Sequence, residues 1–252
     1  MLLERLRDRN ILTNTLFIQR IGTTLVLANP TKSETVFTMA HWIMQVPLQW
    51  LLQLAKVFKT LQTKPERTII FLSVTAEEQG LWGSAYYAQN PVYPANKTLA
   101  NINMDGLNNV GKTKDIIVVG RGQSDLEDDL KDATQKMDRY TSFETHPEAG
   151  YYYRSDHFNF AKVGIPALYT ARGIDVIGKG KDFGKQQEDD YREKHYHRPS
   201  DQITADWNLD GAIEDLKLLF IVGKRNAAEE KWPAWKEGSE FQKLREPATA
   251  NR

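Results

Sequence analysis

The sequence predicts an α/β fold, a three-layer α/β/α arrangement in which a mostly parallel sheet is covered by helices on both faces. Three observations carry the expectation. Short runs that are apolar along most of their length recur through the chain, bounded by polar or glycine-bearing turns. Longer segments with apolar residues at helical spacing alternate with them. Strands that are apolar on both faces belong in a sheet buried on both sides, whereas one-sided antiparallel sheets show strict alternation.

The strands expected in chain order are "TLVLA" (24–28), "TVFTMA" (35–40), "TIIFLSV" (68–74), "ANINM" (100–104), "DIIVVG" (115–120) and "IPALYT" (165–170). Between the second and third, Leu51, Leu54, Ala55, Phe58 and Leu61 recur at the spacing of a helix face. A second helix is expected from the stripe Leu126, Leu130, Ala133 and Met137, with Ser124 and Glu127 as its capping box. A third is expected to begin after Asp210, read as its N-cap, and carries Ala212, Leu216, Leu219 and Gly223. Residues 172 to 195 are polar and glycine-bearing, and read as a long loop arching over the site. Near the end, Trp232 and Trp235 flank Pro233, a segment that packs back on the domain or against a partner.

Composition narrows the chemistry. The 33 basic and 33 acidic residues cancel, and no basic run offers a track for a phosphate backbone, so nucleic acid is not expected as a partner. Cysteine is absent, which removes disulfides, a thiolate nucleophile and a thiolate metal site, and leaves the compartment open. The first twenty residues interrupt their apolar positions with charges too often for a signal peptide, and no later run reaches the roughly 18 apolar residues of a membrane span. Any metal must be held by His, Asp or Glu.

In open α/β sheets ligands gather beyond the carboxyl ends of the strands. Glu77 and Glu78 follow the third strand, Asp105 follows the fourth in "NMDG", and His41 follows the second in "TMAHW". Taken singly, such acids also solvate loops or cap helices, and His41 reads either as a metal ligand or as a packed imidazole. Together with "YHRPSD" downstream they supply oxygen and nitrogen ligands without sulfur, a set suited to zinc, whereas magnesium or manganese would favour more oxygens. Two adjacent glutamates allow a division of labour, one binding the metal and the other taking a proton from water.

At these residues the sequence resembles a known family. "VTAEEQGLWGS", "NINMDG", "YYYRSDHFNFAKVGIPA" and "YHRPSDQ", spread over roughly residues 34 to 223, look like the zinc-dependent aminopeptidases of the bacterial leucyl aminopeptidase and glutamate carboxypeptidase type, peptidase family M28. The resemblance implies a mixed sheet of the zinc exopeptidase kind, two cocatalytic zinc ions, and a peptide or aminoacyl substrate. Carried over by motif position, it implies Glu77 as general base, Glu78 and His197 as ligands of one zinc ion, and Asp105 with His41 as ligands of the other. Asp156, His157 and Tyr153, in "YYYRSDH", would border the pocket or support the metal ligands.

The chain departs from the family pattern in one segment. The family has an aspartate two residues after the first histidine and a second, before the following helix, that bridges the ions. Here Ile43 stands in the first place, and between Glu34 and Glu66 there is no carboxylate at all. A bridge offsets repulsion between like charges and fixes their separation, so one zinc ion or incomplete occupancy is expected. The expected organisation is a divergent or incomplete N-terminal segment (1–33), a peptidase-like catalytic domain (34–225) and a C-terminal extension (226–252). The competing readings are a catalytically weak or inactive metal-binding homologue, a glutaminyl cyclase-like zinc enzyme using a single ion, and a structural interaction protein. Substrate side-chain preference and oligomeric state stay open.

Overall fold

A computed structural model describes residues 24–27, 34–39, 45–106, 108–228 and 231–249. Their strands are β1 (Thr24–Leu27), β2 (Glu34–Met39), β3 (Thr68–Ser73), β4 (Thr98–Met104), β5 (Asp115–Val118), β6 (Tyr140–Phe143) and β7 (Ala167–Arg172). They form one sheet in the order β1-β3-β2-β4-β7-β5-β6. β3, β2, β4 and β7 run parallel; β1 joins β3 antiparallel, and β5 joins β7 antiparallel with β6 parallel beyond it. This is the mixed, mostly parallel sheet expected from the sequence.

The helices are α1 (Gln45–Thr60), α2 (Trp82–Gln89), α3 (Leu126–Gln135), α4 (His157–Lys162), α5 (Gly180–Lys194), α6 (Asp210–Ala228) and α7 (Gln242–Thr249). The two-residue period of β3 divides the core between the two helical layers. Ile69 and Phe71 face the cluster built by Leu51 and Phe58 of α1, Leu130 of α3 and Leu218 and Val222 of α6. Ile70 and Leu72 face Phe160 of α4 on the opposite side. Every residue of β3 and β4 is buried; β3 reads as a nearly unbroken apolar run, whereas β4 buries Asn101 and Asn103 among its apolar residues.

Four local expectations are corrected. Residues 180–194 are helical rather than part of a long loop, with only Gly184 fully buried; a Cβ there would lie 2.0 Å from the Ile174 carbonyl oxygen, so the glycine permits the helix to lie against the chain leaving β7. β6 was not expected: its exposure pattern shows no buried residue, as befits a short edge strand. The capping box at α3 is half formed. Glu127 accepts from the backbone N–H groups of Gly122, Gln123 and Ser124, but the Ser124 hydroxyl donates to the Ala167 carbonyl instead of to its own helix. At α6, Asp210 is the first helical residue, and the Asn208 side chain accepts its N–H at 3.0 Å.

The C-terminal segment packs back on the domain. Trp235 and Phe241 are buried against Ile117, Val119, Ala161 and Ala167. The Trp235 indole donates to the Gly164 carbonyl at 3.2 Å, and the buried Arg245 guanidinium donates to the Thr98 carbonyl at 2.9 Å. No helix among the described residues is long and apolar enough to cross a membrane.

Candidate functional site

The chain leaves β3 through a tightly wound turn. Ala76 (φ 56°) and Leu81 (φ 61°) are both left-handed, and the Glu77 carbonyl accepts from the N–H groups of Gly80 and Leu81 at 3.0 and 2.8 Å. Non-glycine residues seldom hold that conformation, so the surrounding contacts must impose it. Gly83 permits the closure: its N–H donates to the Thr75 carbonyl at 2.9 Å, and a Cβ would fall 2.4 Å from that oxygen. The outcome is that Glu77 and Glu78 stand together beyond the carboxyl edge of the sheet.

Asp105 leaves the same edge from β4. β2 lies between these strands, its last residue Met39 in register with both Ser73 and Met104. His41, two residues beyond Met39, lies outside the described residues, as does Ile43.

His197 reaches the site from the turn that follows α5. It is left-handed (φ 57°), and its Nε2 lies 3.1 Å from Glu78 Oε1. The neighbouring Tyr196 ring centroid is 3.9 Å from the imidazole. Two phenols mark the convergence electrostatically. Burial raises Tyr169 well above the usual tyrosine value, with the carboxylates of Asp105 and, more weakly, Glu77 pushing the same way. Burial likewise raises Tyr196, opposed by Arg154 and reinforced by Glu78 and Asp105. Glu77, Glu78, Asp105 and His197, distant in sequence, therefore share one neighbourhood.

The segment 155–159, "SDHFN", braces both acidic loops. Ser155 Oγ donates to Asp105 Oδ2 at 2.6 Å and accepts from Asn103 Nδ2 at 2.8 Å. Asp156 Oδ1 accepts from Ser84 Oγ at 2.5 Å, and Asn159 donates to Ser84 Oγ at 2.8 Å and to the Leu81 carbonyl at 3.1 Å. One short stretch thus fixes the Asp105 carboxylate and the turn that carries Glu77 and Glu78. Ser84, Ser155, Asn159 and Tyr169 were not singled out as supports from the sequence; the only available signal was small polar residues inside otherwise apolar motifs.

His157 is fully buried, with its ring between Tyr152 and Tyr169 at centroid distances of 4.5 and 4.8 Å. Burial lowers its pKa to about 3; the Tyr152 backbone opposes the shift but does not reach hydrogen-bonding geometry with either ring nitrogen. The imidazole is neutral at physiological pH and acts as a packing plate. Tyr153 is half exposed and donates to Glu240 at 2.8 Å; Tyr151 is the tyrosine of this run that lines the adjoining cleft.

That cleft has a volume of about 250 Å³ and includes Asp105 in its lining. Ile117, Val119 and Ala171 contribute apolar surface, Tyr191, Tyr196 and Trp207 aromatic surface, with Glu144, Glu188 and Arg172 among its charges. It has the mixed apolar and sparsely polar character of a small-molecule or side-chain site.

Among the described residues no group of three or more potential ligands gathers closely enough to hold a metal ion. The Glu78–His197 pair does fit two corners of a zinc site. Bonds of about 2.0–2.1 Å at a tetrahedral angle leave the ligand atoms about 3.3 Å apart, so the 3.1 Å pair would need to open only slightly.

Comparisons with known proteins bear on this arrangement. The Legionella pneumophila LapA aminopeptidase is similar in fold, with a TM-score of 0.59 and 18% identity over 82% of this chain and 55% of that one. LapB from the same organism gives 0.58 and 18%, covering 79% and 53%, and the aminopeptidase from Aneurinibacillus sp. strain AM-1 gives 0.55 and 21%, covering 83% and 48%. The chain thus spans about half the length of these solved structures. No curated protein matches it. The model of peptidase family M28 matches residues 46–221, opening inside α1 beyond the position of His41. With that match covering well over half of its length, and with a fold shared with aminopeptidase structures, this chain belongs to peptidase family M28.

Proposed function

We propose that this chain is a zinc-dependent metallopeptidase of the aminopeptidase type, acting on N-terminal peptide bonds, with hydrolysis weakened by the absent bridging carboxylate. The observation that carries the reading is the approach of His197 Nε2 to Glu78 Oε1 directly beside Glu77. In this reading Glu78 and His197 hold one zinc ion, and Asp105 with His41 would hold a second. The ion would supply Lewis acidity and lower the pKa of bound water.

The chain's own residues account for the remaining steps. Glu77 takes a proton from the attacking water and later delivers it to the departing amine nitrogen, a task for a carboxylate beside the ligand rather than for the ligand itself. Ser155 holds Asp105, and the Ser84–Asp156–Asn159 cluster holds the turn that carries the two glutamates. The cleft beside Asp105 receives the substrate's first side chain. The connection from β2 to α1 supports the weakened activity. Only residues 40–44 separate Met39 from Gln45, and none of them is acidic, so this short stretch supplies no carboxylate to span two ions.

The test pairs elemental analysis of the purified chain with hydrolysis of aminoacyl-p-nitroanilides. Zinc bound at fewer than two ions per chain, with slow amino-terminal cleavage abolished by Glu77→Gln, is the expected result. A chain that takes up no zinc refutes the reading.

A further inference from the structure

We propose that the cleft takes a long cationic side chain, that of an amino-terminal lysine or arginine, and that Glu144 is the specificity-determining residue that receives its charged end. The inference rests on the reading of this cleft as the place of the substrate's first side chain. Tyr169 and Ala171 of β7, Ile117 of β5 and Val119 just beyond it supply its floor from one face of the sheet. Asp105 follows β4 and Glu144 follows β6, the outer two of the four neighbouring strands β4-β7-β5-β6. The cleft therefore spans three strand spacings, about 14 Å.

That width selects for length. A short or branched apolar side chain beside Asp105 meets Tyr169 and Ala171 and stops short of Glu144. An extended four-carbon stem crosses the apolar floor and carries its charge to the far side, as lysine and arginine stems lie along apolar surface with the head in polar surroundings.

Glu144 is the acid on that side without a counter-charge. Its Oε1 accepts from the Gly120 N–H at 3.3 Å, whereas Oε2, closed off from water, meets no donor among the described residues. Glu188 differs, since it accepts from the Thr145 hydroxyl at 3.1 Å and acts on the Arg172 guanidinium. Asp201 accepts from the Tyr191 hydroxyl at 2.8 Å. Of the two arginines of the cleft, Arg172 donates to Asn109 at 2.8 Å, and Arg192 lies 5.5 Å from the Tyr151 ring centroid and acts on Glu148. Burial raises the pKa of Glu144; the Gly120 N–H opposes the shift, and Glu148 and Glu188 add to it. A buried acceptor without a donor costs free energy that an arriving cation recovers, and the neighbouring acids favour the same charge. The terminal carboxylate torsion is soft, so Oε2 can turn toward an ammonium or guanidinium group without leaving its rotamer well.

Norleucine has the four-carbon stem of lysine without the ammonium, so the two side chains isolate the charge. L-lysinamide and L-norleucinamide are titrated by calorimetry into the native chain, Glu144→Gln and Glu144→Asp, and kcat/KM is measured for the lysyl and norleucyl p-nitroanilides. The native chain should favour lysine about 10- to 100-fold in both readouts. Glu144→Gln, whose amide oxygen can still accept from Gly120, should bring the two side chains to within about threefold of each other. Glu144→Asp, which keeps the charge but draws it back by one carbon, should fall between.

A native chain that binds norleucinamide as tightly as lysinamide overturns the proposal, as does one that binds neither. A Glu144→Gln chain that unfolds at the native temperature and keeps the full lysine preference overturns the role of Glu144. Selective binding of lysinamide without cleavage of either anilide sustains the preference of the cleft and refutes the peptidase reading; cleavage of both anilides at equal rates does the reverse.

Discussion

Replacing Ser84 by alanine isolates what the brace behind the two glutamates contributes. Ser84 is fully buried in α2, and its hydroxyl donates to Asp156 Oδ1 at 2.5 Å in preference to the Leu81 carbonyl at 3.1 Å, while accepting from Asn159. Removing it takes one hydrogen bond from a buried carboxylate, at about 1.5–3 kcal/mol, and one acceptor from the Asn159 amide, at about 0.5–1.5 kcal/mol. The Asn159 amide keeps its bond to the Leu81 carbonyl, so the second loss falls at the lower end of its range. Destabilisation of about 2–4 kcal/mol follows, equivalent to a fall in Tm of about 5–15 °C for a domain of this size. Thermal and urea unfolding by circular dichroism measure it. The same variant should weaken zinc binding, because the turn presenting Glu78 is fixed through Ser84. A stability loss under about 0.5 kcal/mol would show that the cluster holds nothing and would refute the reasoning.

Further outcomes follow from the same structure. Glu77→Gln should retain zinc binding and lose most hydrolysis, whereas Glu78→Gln should lose zinc itself; parallel zinc titration and initial rates separate them, and equal metal loss in both would defeat the division of roles. Gly83→Ala should destabilise by more than about 2 kcal/mol, since its Cβ would press 2.4 Å from a backbone oxygen that cannot move without unwinding the turn; urea midpoints test this. Burial raises Asp215 to about 6 against the pull of Arg139, whose guanidinium lies 2.6 Å away. Because the folded chain then binds this proton more readily than the unfolded one, the contribution of Asp215 to stability falls as pH rises from about 4 to about 6, by roughly 1–3 kcal/mol. Asp215→Asn should remove that slope from the pH dependence of urea unfolding while losing stability overall, because Arg139 is left in the interior without its anion. An Asp at position 43 should strengthen metal binding through His41 without restoring two tightly held ions; elemental analysis of Ile43→Asp checks it.

The sheet was legible because its central strands are buried on both faces. In β3 apolar and β-branched residues run almost uninterrupted, and in β4 only the buried Asn101 and Asn103 break the run; both are too short for a helix of ordinary length. β6 and α5 were illegible for the opposite reason. "YTSF" buries nothing fully, and α5 presents charge on nearly every side, so neither carries a periodic apolar signal. Their existence depends on neighbours, β5 in one case and the chain after β7 in the other. The acids of the site could be read from linear motifs because Glu77 and Glu78 lie in the turn after β3 and Asp105 directly follows β4. Their supports could not, since Ser84 and Asp156 are 72 residues apart and Tyr169 and Asp105 are 64 apart in the chain. Hydroxyls at such separations carry no pattern until the strands bring them together. At α6 the error was one of competition: Asp210 and Asn208 both suit an N-terminus, and only the path of the chain selects Asn208.

The C-terminal segment has a consequence for the order in which the molecule is made. Trp235 and Phe241 cover Ile117, Val119, Ala161 and Ala167, residues synthesised 68 to 124 positions earlier. Arg245 then reaches back to the Thr98 carbonyl across 147 residues. During synthesis at roughly 5–20 residues per second, that apolar flank of the sheet stays wet for several seconds after its strands have emerged. A nascent chain in this interval presents an oily surface beside unsatisfied carbonyls, the condition under which chaperones bind and neighbouring chains stick. A released chain ending just before residue 235 should therefore be far stickier than one ending after residue 245, although the two differ by only about a dozen residues.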